Sequence, residues 1–279
     1  MKVRVKIPAK INLTLDVIGV KNGYHELNSL VASVNIFDAF ALVKRKDCAV
    51  NVTFTGLSAD VEGKDSIACR AAELFVKEFG TTGADITIKR NIPAGGGLGG
   101  SSADAAGVLV GMQKLYSVHK DMSGLANMLG SDTAYMLRGG YALLKGRGDI
   151  VCPLSGINRR LYILCVKGTR GVSAGECYKR FDDMRKSFPS VTEGAAKLLG
   201  GGAVRDFLHI LKNDLFLPAT EILPEIEESF IDLKNCGAAV MTGSGSTVIG
   251  VYIKAKERNA AYKKLRAKYG DRLIKAKTL

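Results

Sequence analysis

The sequence predicts an α+β protein. Strand-like segments arrive in clusters and do not alternate strictly with helices. Apolar residues recur at period two near the N-terminus and at helical spacing further on. One strand runs directly into a loop of five glycines that opens a helix, "IPAGGGLGGSSADAA".

The elements follow in order. Val3, Val5 and Ile7 share one face of "VRVKI", and Ile11, Leu13, Leu15 and Val17 repeat the pattern in "INLTLDV". Pro8 lies between the two runs. By the same period Lys10, Asn12 and Thr14 share the opposite face. Asn22-Gly23 signals a turn. "SLVASVNIFDAFALVKR" and "CAVNVTFTG" predict further strands, and "SIACRAAELFVKEFG" predicts a helix that Gly80 stops. "DITIKRNIP" predicts the strand before the glycines. Ala105, Leu109, Met112 and Tyr116 then fall at helical spacing. "DMSGLANMLGSDTAYML" predicts two short helices interrupted at Gly130, and "RGGYALLKGRGDIVCPL" a hairpin. "RLYILCVKG" predicts a buried strand, "GAAVMTGSGSTVIGVYI" a strand-turn-strand, and Glu257 to Tyr269 a last helix. The Gly-Arg-Gly at 146–148 is the candidate boundary between two domains, residues 1–148 and 149–279.

Composition narrows the class. The 279 residues are 47% hydrophobic and 24% charged, as in ordinary globular proteins. No apolar run reaches the length of a membrane span, and the charged N-terminus is unlike a signal peptide. The six cysteines form no C-x-x-C pair and the three histidines are scattered, so no protein-built metal site is expected. Cysteines of this kind suit a reducing, cytoplasmic setting. The net charge of +13 suits polyanionic small molecules. Residues 254–279 hold ten Lys or Arg against Glu257 and Asp271. That tail reads as a solvated helix face with an edge strand, or alternatively as a nucleic-acid contact. Few aromatics interleave it, and neither nucleic acid nor membrane is the expected partner.

The glycine loop carries the chemistry. Gly95, Gly96, Gly97, Gly99 and Gly100 lie between Pro93 and Ser101-Ser102, with Leu98 among them. A Walker loop needs Lys then Ser or Thr after the glycines, and this loop lacks them. Gly95, Gly97 and Gly100 fit a dinucleotide fingerprint, but no acidic residue ends a second strand at the required distance. An anion cradle remains: backbone N–H groups at a helix N-terminus, aided by the helix dipole and two hydroxyls. A tight turn required only for packing is the alternative.

The same stretch resembles the phosphate-binding motif of the GHMP kinases. "PAKINLTLDV" resembles that family's N-terminal motif and "MTGSGSTVIGVY" its C-terminal glycine motif, in the family order across nearly the whole chain. The resemblance implies an N-terminal ribosomal-protein-S5-like ATP-binding domain and a C-terminal α/β substrate-side domain. It implies ATP and magnesium. "NGYHEL" and "LGSDTAYML" narrow it to the branch that phosphorylates the 2-hydroxyl of a cytidine diphosphate sugar alcohol; another small-molecule GHMP kinase is the alternative.

Residue roles follow from the resemblance. Asp132 corresponds to the family's base and Lys10 to its charge-stabilising partner. Pro93, Gly95, Gly96, Gly97, Leu98, Gly99, Gly100, Ser101 and Ser102 would hold the triphosphate. Asn12, Tyr24, His25, Tyr178, Gly243 and Gly245 would contact the substrate, Asn12 at the hydroxyl and the rings at the base. No magnesium ligand is assigned. Three positions depart from the usual pattern: Ser101 in place of a glycine, Thr133-Ala134 after Asp132 in place of Val-Pro, and Ala174 in place of Thr.

Overall fold

A computed structural model describes residues 1–57, 66–184 and 188–279. Its strands and helices are β1 (Lys2–Asn12), β2 (Thr14–Lys21), β3 (Tyr24–Lys44), β4 (Asn51–Gly56), α1 (Ile67–Phe79), β5 (Ala84–Arg90), α2 (Gly100–Leu115), α3 (Ser123–Leu129) and α4 (Thr133–Arg138). They continue with β6 (Tyr141–Gly146), β7 (Ile150–Pro153), β8 (Tyr162–Val166), α5 (Ala174–Met184), α6 (Thr192–Gly200), α7 (Val204–His209) and β9 (Lys212–Asn213). The last are α8 (Phe216–Ile222), α9 (Glu225–Lys234), β10 (Ala238–Met241), β11 (Val248–Tyr252), α10 (Ala255–Tyr269) and β12 (Leu273–Lys277). The α+β expectation holds.

One compact unit comprises residues 1–9, 36–94 and 99–139. In it β5 pairs antiparallel with the second half of β3, from Ala39↔Lys89 to Lys44↔Ala84, and parallel with β4. Ala84, Ile86 and Ile88 are buried while Asp85, Thr87 and Lys89 are exposed, the period-two pattern of a sheet with one covered face. Helix α1 starts where the Ser66 hydroxyl accepts from the Cys69 amide at 3.1 Å, and it stops at Gly80, whose φ is 59°. Small residues let α2 lie close to β3. A Cβ at Gly107 would overlap the Phe40 ring, and one at Gly111 would overlap the Leu42 side chain. The two short helices α3 and α4 meet at Gly130, as expected.

The second unit comprises residues 10–35, 95–98 and 140–279. Here β2 pairs antiparallel with the start of β3, β6 with residues 27–32 of β3, and β7 with β6, giving the expected hairpin. The short β9 runs parallel to β2. A separate antiparallel sheet has the order β10-β11-β8-β12 and places the basic C-terminal strand at its edge. Leu164, Val166, Leu233, Met241, Val248 and Leu265 lie in its core.

Pro8 does not interrupt the first strand; β1 passes through it from Lys2 to Asn12. Among the described strands β1 pairs only with β3, so every second amide of β1 has no ladder partner to lose, and proline is tolerated there. Among the described residues no helix is long and apolar enough to cross a membrane, and all six cysteines are free.

The packing of α2 generates a test. Gly→Ala in a helix interior normally gains up to about 1 kcal/mol. Overpacking costs about 1–3 kcal/mol, and the Phe40 ring is 2% exposed with little room to move. Gly107→Ala should therefore lose stability in urea unfolding. Gly124→Ala in α3, where a Cβ meets nothing within 4 Å, should be neutral or stabilising.

Candidate active site

The glycine loop is anchored at both ends within the first unit. The buried Asp38 carboxylate accepts from the Asn91 amide at 2.6 Å and the Ile92 amide at 2.8 Å, fixing the chain as it leaves β5. Arg90, the last residue of β5, reaches Asp104 in α2 through Nη2 at 2.6 Å and Nε at 3.1 Å. Its guanidinium lies 3.7 Å from the centre of the Phe54 ring. Strand and helix are thus tied on either side of the loop.

Pro93 is buried, and Gly99 precedes the helix with φ 78° and no capping side chain. Gly100, Ser101 and Ser102 form the first turn of α2, which holds no acidic residue. Their amides and hydroxyls suit an anion. Gly130 lies against the hydroxyls of Thr133 and Ser102. Asp132 opens α4 and is half-buried; its carbonyl accepts from the Met136 amide at 3.0 Å.

The rest of the loop, Gly95–Leu98, belongs to the second unit and is closed by backbone. A Cβ on Gly97, whose φ is 75°, would overlap the Thr242 carbonyl, and one on Gly243 would come within 2.9 Å of the Gly97 Cα. Gly95 meets Gly171 in the same way, at 3.1 Å from Cα. The Gly96 carbonyl accepts from the Thr247 amide at 3.3 Å and the Leu98 carbonyl from the Lys10 amide at 3.0 Å. At these positions the neighbour that excludes side chains is the protein's own chain. A Cβ on Gly245 would crowd Met241, with Ile226 and Ala219 close by, all in the core.

Lys10 and Asn12 are buried beside this contact, 4% and 3% exposed. Lys10 Nζ donates to Asn12 Oδ1 at 2.7 Å. Asn213 of β9 supports the glycine turn from behind, donating at 2.8 Å to the carbonyls of both Met241 and Gly243.

The substrate-side rings form a second cluster in this unit. His25 stacks on Tyr178, with centroids 4.5 Å apart and planes 18° from parallel. His25 Nε2 lies 2.8 Å from Asp182 Oδ1. Tyr24 is 60% exposed, with the Arg147 guanidinium 5.5 Å from its ring centre. Among the described residues no group of three or more His, Cys, Asp or Glu could hold a metal ion.

Sequence reading passed over Asp38, Arg90, Asp104, Asp182, Asn213 and Thr242. Asp182 was within reach, since it lies four residues beyond Tyr178 on one face of α5. The others meet partners far away in sequence and carry no local signal.

The two halves of the chain match known domains. Residues 66–142 match the GHMP kinases N terminal domain and residues 195–271 the GHMP kinases C terminal domain. The chain belongs to the GHMP kinases, ATP-dependent phosphotransferases acting on small molecules. It is 33% identical over 281 residues to the 4-diphosphocytidyl-2-C-methyl-D-erythritol kinase of Syntrophomonas wolfei, covering 96% of this chain and 95% of that one. It is 35% identical over 264 residues to the enzyme of that name from Cutibacterium acnes, covering 88% and 84%. A crystal structure of 4-(cytidine 5'-diphospho)-2C-methyl-D-erythritol kinase superposes with a TM-score of 0.79 at 29% identity, covering 99% of this chain and 98% of that one. L. major mevalonate kinase shares the fold, with a TM-score of 0.76 at 15% identity and coverage of 99% and 95%.

The Asp104 carboxyl of this anchor is held well above the ordinary carboxylate range. Burial pushes the Asp104 carboxyl up to about 6 against the pull of Arg90. Burial also raises Asp38, against the two amides that it accepts from. A carboxyl whose folded value exceeds its unfolded value, roughly 3.9, costs stability once ionised. For Asp104 that cost is complete above about pH 6 and absent below about pH 4. The melting temperature should therefore rise between pH 7.5 and pH 5.5, and rise less in Asp104→Asn. An identical rise in the variant would show that another group is responsible.

Proposed function

We propose that this kinase transfers the γ-phosphoryl group of ATP to the 2-hydroxyl of 4-diphosphocytidyl-2-C-methyl-D-erythritol, a cytoplasmic step of the non-mevalonate isoprenoid pathway. The observation that carries the reading is the stacked pair of His25 and Tyr178. Every kinase of this class needs a phosphate loop and a place for the adenine of ATP, but a second aromatic cluster, apart from the loop, has a use when the acceptor carries a base of its own. The relatives that align over nearly the whole chain support the same substrate.

In this reading residues 1–148 carry the nucleotide and catalytic groups and residues 149–279 the substrate side. Pro93 to Ser102 hold the triphosphate. The acceptor oxygen bonds to the γ-phosphorus as the bond to the β,γ-bridging oxygen breaks, and Asp132 takes the hydroxyl proton. Lys10 stabilises the negative charge on the transferring group. Magnesium would accompany the nucleotide and neutralise phosphate charge, and no residue of this chain is assigned to hold it. Gly243 and Gly245 border the acceptor. Tyr24 and Tyr178 offer ring faces to the cytosine. Where His25 donates from Nε2 to Asp182 and Nδ1 carries no proton, Nδ1 is an acceptor, which suits the amino group of cytosine and not the carbonyl of uracil.

ADP release against a panel of alcohols with and without the cytidine diphosphate group tests the reading. Turnover should require that group, and the uridine analogue should be poor. Base stacking is worth about 1–3 kcal/mol, so Tyr24→Ala or Tyr178→Ala should raise the KM of the cytidylyl substrate about tenfold, with the KM for ATP unchanged. Equal turnover of the alcohol without its cytidine would overturn the assignment and leave a kinase of another small molecule.

A further inference from the structure

We infer that Asn12 and Thr242 are positioning residues that hold the Lys10 ammonium in register with the glycine loop. The inference rests on the reading of Lys10 as the charge-stabilising group. It gives Asn12 a part other than the contact with the substrate hydroxyl that the sequence suggests.

The hydrogen bonds of Asn12 lead inward. Its Oδ1 accepts from Lys10 Nζ at 2.7 Å, from the Gly243 amide at 3.0 Å and from the Thr242 hydroxyl at 3.3 Å. Its Nδ2 donates to Ser29 Oγ at 2.8 Å, and that hydroxyl donates to the Thr14 carbonyl at 2.6 Å. The Asn12 amide donates to Thr242 Oγ1 at 2.9 Å. The same Thr242 hydroxyl lies 3.1 Å from the Gly97 carbonyl. It has one proton, shared between the Gly97 carbonyl and Asn12 Oδ1, and it accepts from the Asn12 amide. One hydroxyl therefore joins the loop assigned to the phosphates to the residue that holds the lysine.

The chemistry explains the choice of side chains. A lysine has a long, flexible stem and a point charge, so its ammonium is placed only as well as its partners place it. A carboxylate partner at position 12 would fix it but cancel its field. The amide oxygen of Asn12 is a neutral acceptor, so it fixes the ammonium without adding a counter-charge of its own. The Thr242 hydroxyl in turn fixes the Asn12 backbone, and no isosteric apolar side chain can do so.

A double-mutant cycle between Thr242→Val and Lys10→Met tests this. It is measured with whichever alcohol the wild-type chain phosphorylates, so failure of the cytidylyl reading leaves it readable. Misplacing a catalytic group by an ångström costs up to about a hundredfold. Thr242→Val should lower kcat about tenfold or more by that reasoning while the KM for ATP stays within about twofold, and Thr242→Ser should restore the lost rate. In the Lys10→Met background Thr242→Val should have no further effect, the non-additivity of two residues acting through one group. If the valine variant fails to fold, Asn12→Ala takes its place in the cycle. Equal factors in both backgrounds, or a raised KM for ATP with kcat unchanged, would overturn the relay and leave Thr242 as a loop contact. A Lys10→Met variant with wild-type kcat would instead remove the premise about Lys10.

Discussion

The site depends on one contact that no side chain can enter, where the backbone at Gly97 meets the backbone at Thr242 and Gly243. Glycine is costly in backbone entropy, so its density in the loop requires a close neighbour. At Gly95 and Gly97 that neighbour is the polypeptide itself, at Gly171 and at Thr242. The contact brings buried amides into register: Thr247 donates to Gly96, and Lys10 donates to Leu98. A loop closed in this way has its shape before any phosphate arrives. Preorganisation of that kind is what electrostatic catalysis needs, because donors that are already aimed need not reorganise during the reaction.

Buried charges in the two units are handled in three ways. The Lys10 ammonium donates to the neutral amide oxygen of Asn12 at 2.7 Å. Asp104 is paired with Arg90 through one oxygen only, while its Oδ1 is buried without a hydrogen-bond partner, and burial wins, raising its pKa to about 6. Asp16 shows the opposite balance. Burial pushes it up, but the Ser190 hydroxyl at 2.6 Å, the Val191 and Thr192 amides and the Lys212 ammonium together pull it below the ordinary value. The difference lies in how many donors reach the carboxylate. Asp16 also fixes the entry to α6, whose Thr192 hydroxyl pairs with that of Thr14, the first residue of β2, at 2.7 Å.

Local structure was legible because its causes are local. Ser66 and Gly80 mark the ends of α1, Gly130 divides α3 from α4, and the glycine loop announces a helix start. The motif residues were legible by resemblance. What the sequence hides is which distant residues meet. Thr242 reaches Asn12 across 230 positions, and Asp104 and Arg90 flank the loop without a helical or strand period to connect them. Pro8 does not end its strand, because a proline signals a break only where its amide is needed, and β1 has a single strand neighbour among the described residues. The orientation of Gly245 toward Met241, Ile226 and Ala219 is equally invisible from "GSGS", since alternating glycines say nothing about which side is crowded.

Amide hydrogen exchange in the nucleotide-free protein tests most directly whether the loop is built by this contact. The Lys10 and Thr247 amides donate to the carbonyls of Leu98 and Gly96. If the backbone contact sets the loop, both should exchange only through large-scale opening, with protection close to that of the core strands. Adding an ATP analogue should then change them little. Exchange at the rate of an open loop without nucleotide, with protection appearing only when nucleotide binds, would contradict the account and make the phosphates the organising element.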